Sequence, residues 1–408
     1  MKVLFAFNQL ARNGISRSLL SMLQLLIANG YEVSLFLYSH DGGFFSQLSP
    51  SVRLLPEEPL LRTWHRPCLQ AVVQLLKQKQ YLLAFRRFVF SVIQRFSFTA
   101  ANSLELKILK AIPEQADEYD MAISFNRQST CDYILRKVRA TYHIAWIHGD
   151  YHCIQYNRVR DREILAEMDH ICCVSHSTLE SVRECLGLSS EKLSVIHNPF
   201  PLETVLRNAG EQVASASETD LRHGQQHYLV SVCRVCPQKG SQLIHEIAEK
   251  LVLAGCSFFW EVIGDGNIEQ ENQKAAQKKL SKHLWFSGGT NNPYYKMARA
   301  ECYIQPSTGI ESWGITVQEA LALERRIVAT DIPAFREQIV SGENGFLVPW
   351  TPEAFAEAIL ACLQTPEQTI RQPRQLFLAD FMTEWNLMLK QLPWESGRDR
   401  QVTKKERK

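Results

Sequence analysis

A repeated alternation of short apolar strands with amphipathic helical stretches limits the possible folds more than any other feature of the chain. It begins with Lys2 to Phe7 (KVLFAF), passes through a loop, continues as a helix of period 3.6 from Arg17 to Asn29 closed by Gly30, and returns to a strand in YEVSLFLY. Strand, crossover helix and strand together make the repeating unit of a parallel sheet. Further strands are expected at Met121 to Phe125, His143 to His148, His170 to Val174 and Leu193 to Ile196, so that residues 1–198 form one α/β domain. The rhythm lapses over residues 199–227, where ETVLRNAGEQVASASETDLRHGQQH is polar and lacks a sustained apolar stripe, and a linker is expected there. It resumes with YLVSVC, a helix from Ser241 to Leu253, the strands FFWEVIG, LWFSG and ECYIQP, a helix around Thr316 to Leu323, and the strand RIVAT. These elements make a second α/β domain over residues 228–366. Residues 367–408 read as a C-terminal helix, reaching to about Gln391, and a basic tail, QVTKKERK.

Charge and composition narrow the function. The 45 Lys and Arg against 43 Asp and Glu leave a formal net charge of +2, too near neutral for nucleic-acid binding over the whole surface. No apolar run reaches the roughly 18 residues of a membrane-spanning helix, and the start MKVLFAFNQLARNG has no signal-peptide block, so a cytoplasmic protein is expected. The 11 cysteines form no spacing framework and read as reduced core thiols. Cys233 and Cys236 in CRVC have the spacing of a redox or zinc pair, but no second ligand pair accompanies them.

One segment departs from the compact rhythm. Between Leu60 and Lys110 the chain reads as helical and carries nine Lys or Arg against one acidic residue, interleaved with Trp64, Tyr81, Phe85, Phe88, Phe90, Phe96 and Phe98. Such a basic amphipathic excursion can lie on an anionic membrane surface, which would make the protein peripheral at the inner face of the membrane. Alternatively the aromatic side faces the core and the charges form a solvated face.

Several loops at strand ends carry residues suited to an anionic ligand. NQLARNGISRS follows the first strand, and Gly14 near its junction with the helix allows close backbone approach beside helix N-terminal amides. The absence of G-x-G-x-x-G argues against a nicotinamide dehydrogenase. In SVCRVCPQKG, Arg234 and Lys239 place a planar fork and a point charge after a strand, as a diphosphate needs. VIGDGN sets Gly264 and Gly266 about Asp265, in a turn that either wraps a nucleotide or simply turns. In QPSTGIESWGITVQEALA, Glu311 and Glu319 stand seven residues apart. A helix starting near Gly314 to Thr316 would keep Glu311 in the loop, carry Glu319 one turn inside, and leave the amides of Ile315 and Thr316 open to an anion.

Taken in order, the glycine loop, WIHGD, DHICCVS, VIHNP, SVCRVCPQKG, VIGDG, the Glu-seven-Glu element, ALALERRIVATD and SGENGFLV resemble the retaining glycosyltransferases of family 4. The resemblance spans most of the chain outside residues 60–110 and the linker. It implies the α/β GT-B fold, two Rossmann-like domains facing each other across a cleft, the first for the acceptor and the second for a nucleoside-diphosphate sugar, with UDP the expected nucleotide. It further implies that Arg234 and Lys239 bind the diphosphate and stabilise the departing charge. Glu319 would hold the ribose, Glu311 would lie near the donor sugar, and His148 of WIHGD would face that sugar. Gly14, Gly264, Gly266, Gly314, Ile315 and Thr316 would line the donor. No cofactor or metal is expected, since the cations and helix N-terminus supply positive charge and no Asp-x-Asp motif stands in the expected place. The implied acceptor is a saccharide or lipid-linked saccharide, as in bacterial surface polysaccharide or lipopolysaccharide assembly.

The chain also departs from the family pattern. Asn13 precedes Gly14 where a second glycine is common, Ser16 stands where Glu is frequent, Cys233 replaces the glycine before Arg234, and Ser312 replaces the glycine after the first glutamate. Glu324 and Arg326 stand where glycine and proline are usual. The changes at Cys233 and Ser312 favour an alternative, a catalytically degenerate module that holds a nucleotide sugar. A phosphorylase of the same fold would need a pyridoxal phosphate lysine that nothing singles out.

Overall fold

The structure, a computed structural model, describes residues 1–93, 106, 108–126, 129–153, 157–210, 226–309, 311–364 and 381–393. They divide into two compact units, one holding Met1–Pro199 with the C-terminal helix and the other running from Phe200.

In the first unit, β1 (Lys2–Phe7), α1 (Gly14–Ala28), β2 (Glu32–Leu37) and β3 (Arg53–Leu54) are followed by three helices, α2 (Pro59–Trp64), α3 (Cys68–Lys77) and α4 (Tyr81–Ile93). The alternation continues through β4 (Glu118–Ser124), α5 (Ser129–Lys137), β5 (Arg139–Ile147), α6 (Arg158–Glu167), β6 (His170–Cys173), α7 (His176–Leu186) and β7 (Leu193–Val195). All seven strands pair in parallel in the order β3-β2-β1-β4-β5-β6-β7. Helices cover both faces of such a sheet, so β1 and β2 are buried from their second residue onward, which is why they read as continuous apolar runs. Helix α1 starts three residues earlier than its apolar period implies, because Asn13 Oδ1 accepts from the Ser16 amide at 2.9 Å and caps the helix.

The second unit holds α8 (Leu202–Gly210), β8 (His227–Val232), α9 (Ser241–Leu253), β9 (Phe258–Ile263), α10 (Ile268–Gln277), β10 (Leu284–Gly288), α11 (Tyr294–Arg299) and β11 (Cys302–Gln305). It continues with α12 (Ile315–Ala322), β12 (Arg326–Thr330), α13 (Pro333–Arg336), β13 (Phe346–Val348) and α14 (Pro352–Gln364). The sheet order is β10-β9-β8-β11-β12-β13, again parallel. One core cluster runs through Leu229, Ile247, Trp260 and Ile359, and the other through Val230, Phe259, Tyr303, Val317 and Phe335.

One expectation changes and two gain detail. Within the expected linker 199–227, residues Leu202–Gly210 are a helix whose Val205 is fully buried in the second unit's core, with Leu206 and Ala209 packed against it. Residues 211–225 of that stretch lie outside the described residues. The C-terminal helix, α15 (Phe381–Gln391), belongs to the first unit rather than trailing the second. Its Trp385 is fully buried, donates to the Tyr31 hydroxyl at 3.0 Å and meets the rings of Tyr31 and Trp146. Beside it the Glu384 carboxylate takes the backbone amide and Nδ1 of His197 at 2.7 and 2.5 Å. The rest of the expected tail, 367–380 and 394–408, lies outside the described residues. Finally, the aromatics of residues 60–110 divide. Trp64 is buried and Phe90 packs against the core, whereas Tyr81, Phe85 and Phe88 are exposed; Phe96 and Phe98 lie outside the described residues.

Candidate active site

In both sheets the first strand of the unit sits centrally and the strand order reverses beside it, between β1 and β4 and between β8 and β11. Open α/β sheets bind ligands in the crevice beyond the carboxyl ends of the strands at such a reversal. The sequence motifs of the second unit fall at that edge.

Beyond β8 the chain runs through Cys233, Arg234 and Val235, then a 3-10 turn, Pro237–Lys239, before α9 begins. Alongside it runs the loop after β9. The Cys233 amide donates to the Ile263 carbonyl at 3.0 Å, the Val235 amide to the Asp265 carbonyl at 2.9 Å, and Val235 bridges to Gly266. This side-by-side course explains the glycines of VIGDG. A Cβ on Gly264 would overlap the Cys233 carbonyl oxygen, and one on Gly266 the Val235 carbonyl oxygen. Both glycines are therefore required by loop-on-loop packing, whatever else approaches them.

Arg234 is exposed and makes no ion pair or side-chain hydrogen bond among the described residues. Lys239 differs: its Nζ donates to Glu311 Oε1, with the two side chains 20% and 10% exposed. The Ser307 hydroxyl donates to the same oxygen at 2.8 Å. Two residues assigned separately from sequence, one to the diphosphate and one to the sugar, thus form one ion pair across 72 positions of chain. The Cys233 thiol, set among Lys239, Glu311, Cys236 and Arg234, is pushed up to about 12, chiefly by burial, and is a neutral thiol.

Sequence reading missed the support beneath this pair. Gln305 Nε2 donates to Ser307 Oγ at 2.9 Å, and Gln305 Oε1 accepts from the Tyr303 hydroxyl at 2.7 Å and from Thr316 Oγ1 at 3.4 Å. Tyr303, Gln305 and Ser307 are all buried. They alternate along β11 and its continuation, so they share one face of the strand. The pattern Tyr-x-Gln-x-Ser in YIQPS was the available signal: three hydrogen-bonding side chains on one side of an otherwise apolar strand.

The next loop leads to α12 through Gly314, whose φ of +85° lies in the left-handed region and whose added Cβ would stand 2.5 Å from Phe335 Cε1. No side chain caps this helix, and the amides of Ile315 and Thr316 have no acceptor among the described residues, whereas those of Val317 and Gln318 bond to Gly314 O. One turn on, Glu319 is fully buried and its Oε1 accepts from the Tyr294 hydroxyl at 2.9 Å. The described residues include no group of three or more His, Cys, Asp or Glu placed to hold a metal ion.

Gly14 and His148 belong to the first unit. Gly14 is the first residue of α1, beyond the carboxyl end of β1. His148 follows β5 directly; its ring meets Phe125 edge-on at 4.5 Å, and neither ring nitrogen has a hydrogen-bond partner among the described residues. Burial pushes its pKa down to about 3, so it is a neutral imidazole with both nitrogens uncommitted.

Known proteins match the chain over nearly all of its length. Residues 12–204 match the family model described as Glycosyltransferase Family 4, and residues 216–374 that of Glycosyl transferases group 1. The phosphatidyl-myo-inositol mannosyltransferase of Mycobacterium tuberculosis is 34% identical over 127 residues, 31% of this chain and 33% of that protein. The lipopolysaccharide core biosynthesis mannosyltransferase LpcC of Rhizobium leguminosarum bv. viciae is 30% identical over 142 residues, 33% and 40% of the two chains. The matches thus span about a third of the length of these curated relatives. Among solved structures, Anabaena HepE in complex with UDP and glucose aligns with a TM-score of 0.69 at 18% identity, covering 96% of this chain and 98% of the other. A glycosyltransferase from Rickettsia africae aligns at 0.66 and 15% identity, covering 98% of both. The structural likeness carries the fold, which is GT-B, with two Rossmann-like domains. Two family models that together run from residue 12 to residue 374 place the chain in glycosyltransferase family 4, the group 1 glycosyl transferases.

Proposed function

We propose that the protein is a retaining glycosyltransferase that moves a sugar from a nucleoside diphosphate, UDP first among the candidates, to a saccharide or lipid-linked saccharide acceptor in bacterial surface-polysaccharide or lipopolysaccharide assembly. The observation that carries the reading is the set of cationic and amide donors at the carboxyl edge of the second sheet: exposed Arg234, Lys239 on Glu311, and the open amides of Ile315 and Thr316. A diphosphate is the ligand class that uses a planar fork, a point charge and a helix N-terminus together. The mannosyltransferase relatives, one named for a phosphatidylinositol and one for lipopolysaccharide core, support a lipid-linked acceptor, and the HepE complexes with UDP and UDP-glucose support a uridine donor.

In this reading the donor sits with its diphosphate on Arg234, Lys239 and the α12 amides, and Lys239 shifts part of its charge from Glu311 to the phosphate. As the bond from C1 to the phosphate oxygen breaks, the acceptor oxygen bonds to C1 on the same face, and its proton passes to a leaving diphosphate oxygen. The two cations stabilise the charge that develops on that group. Neutral His148 can donate to or accept from a sugar hydroxyl without presenting a competing cation. Glu311, held by Ser307, keeps a negative charge near the sugar ring, where positive charge grows. Glu319 takes the ribose hydroxyls, with the Tyr294 hydroxyl on its Oε1 holding the carboxylate in place. These residues carry the chemistry without a metal.

The test is a thermal-shift and diphosphate-release screen of the full chain against UDP-, GDP- and ADP-sugars. Stabilisation by one donor with slow release of its diphosphate is expected, and absence of binding to all three classes would overturn the proposal.

A further inference from the structure

Helices α3 and α4 form an antiparallel pair joined at Gln78, Lys79 and Gln80. On α3, Ala71 and Leu75 are buried, while Leu69, Val73 and Leu76 are exposed; at 100° per residue the exposed three fall within a sector of about 60°. On α4 the spacing repeats: Tyr81, Phe85, Phe88 and Val92 share one stripe and all are exposed, Phe85 by 64% and Phe88 by 55%. Helix α4 is docked by Arg87 together with Ala84, Leu83 and Phe90, and not by Phe85 or Phe88. Arg87 is buried, its Nε donating to the Trp64 carbonyl at 2.8 Å and its Nη2 to the Arg66 carbonyl at 2.9 Å, with the guanidinium over the rings of Trp64 and Phe90. The cation therefore faces the protein, with Phe90 beside it, while Phe85 and Phe88 face outward. A water-soluble helix normally arranges these the other way.

Charge identifies the occupant. Residues 59–93 contain no Asp or Glu. Of their cations, Arg62 and Arg66 pair with Glu57 and Asp41, and Arg87 is buried. Lys77, Lys79 and Arg86 make no ion pair among the described residues; the two lysines lie at the tip of the pair, and half-buried Arg86 stands one turn on from exposed Leu82. A second copy of this face would bring the same unpaired cations together with no carboxylate to meet them. An apolar layer beneath a negatively charged plane satisfies both features. Among the described residues no helix is long and apolar enough to cross a membrane, so the contact is with the surface.

We propose that the α3–α4 pair is a membrane-docking surface that seats Leu69, Leu76, Phe85 and Phe88 in the acyl boundary of an anionic bilayer while Lys77, Lys79 and Arg86 contact its phosphates. The proposal deepens the lipid-linked-acceptor reading and rests on it for its purpose, although the surface can be tested without any turnover. The experiment is sedimentation of the full chain with vesicles of phosphatidylglycerol and phosphatidylcholine (1:1) and of phosphatidylcholine alone, with light scattering of the lipid-free protein in parallel.

The wild-type protein should sediment with the anionic vesicles and far less with the neutral ones. Phe85→Ser with Phe88→Ser should lower the partition coefficient by about an order of magnitude per phenylalanine. Neutralising Lys77, Lys79 and Arg86 to Gln should lower it by about fivefold each. Both variants should keep the wild-type thermal shift with nucleotide sugar, which separates loss of this surface from failure of the donor site. Wild-type protein that stays in the supernatant, or serine variants that bind as wild type does, would overturn the proposal. So would a concentration-dependent dimer abolished by the serine substitutions, which would assign the face to a second copy of the chain.

Discussion

Lys239→Ala and Glu311→Gln should move nucleoside-diphosphate affinity in opposite directions. The two side chains neutralise each other, and at 20% and 10% exposure the pair lies between a surface bridge and a buried one. Unit charges 4 Å apart at an effective dielectric of 20 attract by about 4 kcal/mol before desolvation and screening are subtracted. Exposed pairs retain about 0.2–1 kcal/mol and removal of one partner from a buried pair costs about 3–5 kcal/mol, so about 2 kcal/mol is a fair value here. An arriving diphosphate must compete with Glu311 for Lys239. Glu311→Gln keeps an oxygen for the Ser307 hydroxyl but removes the competing charge, so UDP should bind up to about thirtyfold more tightly. Lys239→Ala removes a charge-assisted bond worth about 1.5–3 kcal/mol and leaves a carboxylate facing the phosphates, so affinity should fall by about 10- to 100-fold. Turnover should fall in both, because Glu311→Gln also withdraws the negative charge proposed beside the sugar. Isothermal titration of UDP into the three proteins reads the binding terms directly. If Glu311→Gln weakens UDP as much as Lys239→Ala does, Glu311 is a phosphate-side ligand scaffold and the competition argument fails.

Four further outcomes follow from the geometry. Ser307→Ala and Gln305→Leu should lower donor turnover about tenfold with little change in donor KM, since Glu311 loses the hydroxyl that fixes its orientation, and Ser307→Thr should recover part of it; steady-state donor hydrolysis checks this, and an effect confined to KM contradicts it. Glu324 stands where the family usually has glycine and holds φ at +56°, so Glu324→Gly should stabilise the second unit by about 1 kcal/mol in urea denaturation, and destabilisation would count against backbone strain there. Gly264→Ala should destabilise by about 3 kcal/mol through overlap with the Cys233 carbonyl, and a neutral result would show that the two loops separate easily. Burial holds the pKa of His148 at about 3 and that of His170 at about 4, so below pH 6.5 the unfolded chain binds more protons than the folded one. The first unit should accordingly lose stability as pH falls from 6.5 toward 4, by about 1.4 kcal/mol per group per pH unit, and His170→Asn should flatten the slope.

Much of the architecture was legible because it is written locally. Apolar runs buried on both faces and a helix stop at Gly30 are each contained within a few residues, and α9 runs over the residues its periodicity implies, Ser241–Leu253. Helix α8 was missed although Leu202, Val205, Leu206 and Ala209 fall at i, i+3, i+4 and i+7, because that short stripe opens a long polar stretch and was averaged into it. Strand β5 starts at Arg139, ahead of its apolar run, because Glu118 of β4 pairs with it in register. No single-strand pattern reveals that. Docking of α15 on the first unit depends on where Tyr31, Trp146 and His197 stand in space, which nothing near Trp385 in sequence declares. The site divides in the same way. Arg234, Lys239, Glu311 and the α12 amides stand out by position after strands, and the glycines by their place in turns. That Lys239 and Glu311 hold each other, and that Glu319 is buried on Tyr294, are products of tertiary packing. The outward turn of Phe85 and Phe88 likewise depends on Arg87 finding two carbonyls on a neighbouring turn of chain.

The experiment that bears most closely on the proposed chemistry is proton NMR of the anomeric signal during slow turnover of whichever donor stabilises the full chain. The sugar should first appear with the donor's own anomeric configuration, with one nucleoside diphosphate released per sugar, and Arg234→Ala combined with Lys239→Ala should abolish both signals. First appearance of the opposite anomer, or equal release by the double variant, would contradict the same-face transfer and the role of the two cations.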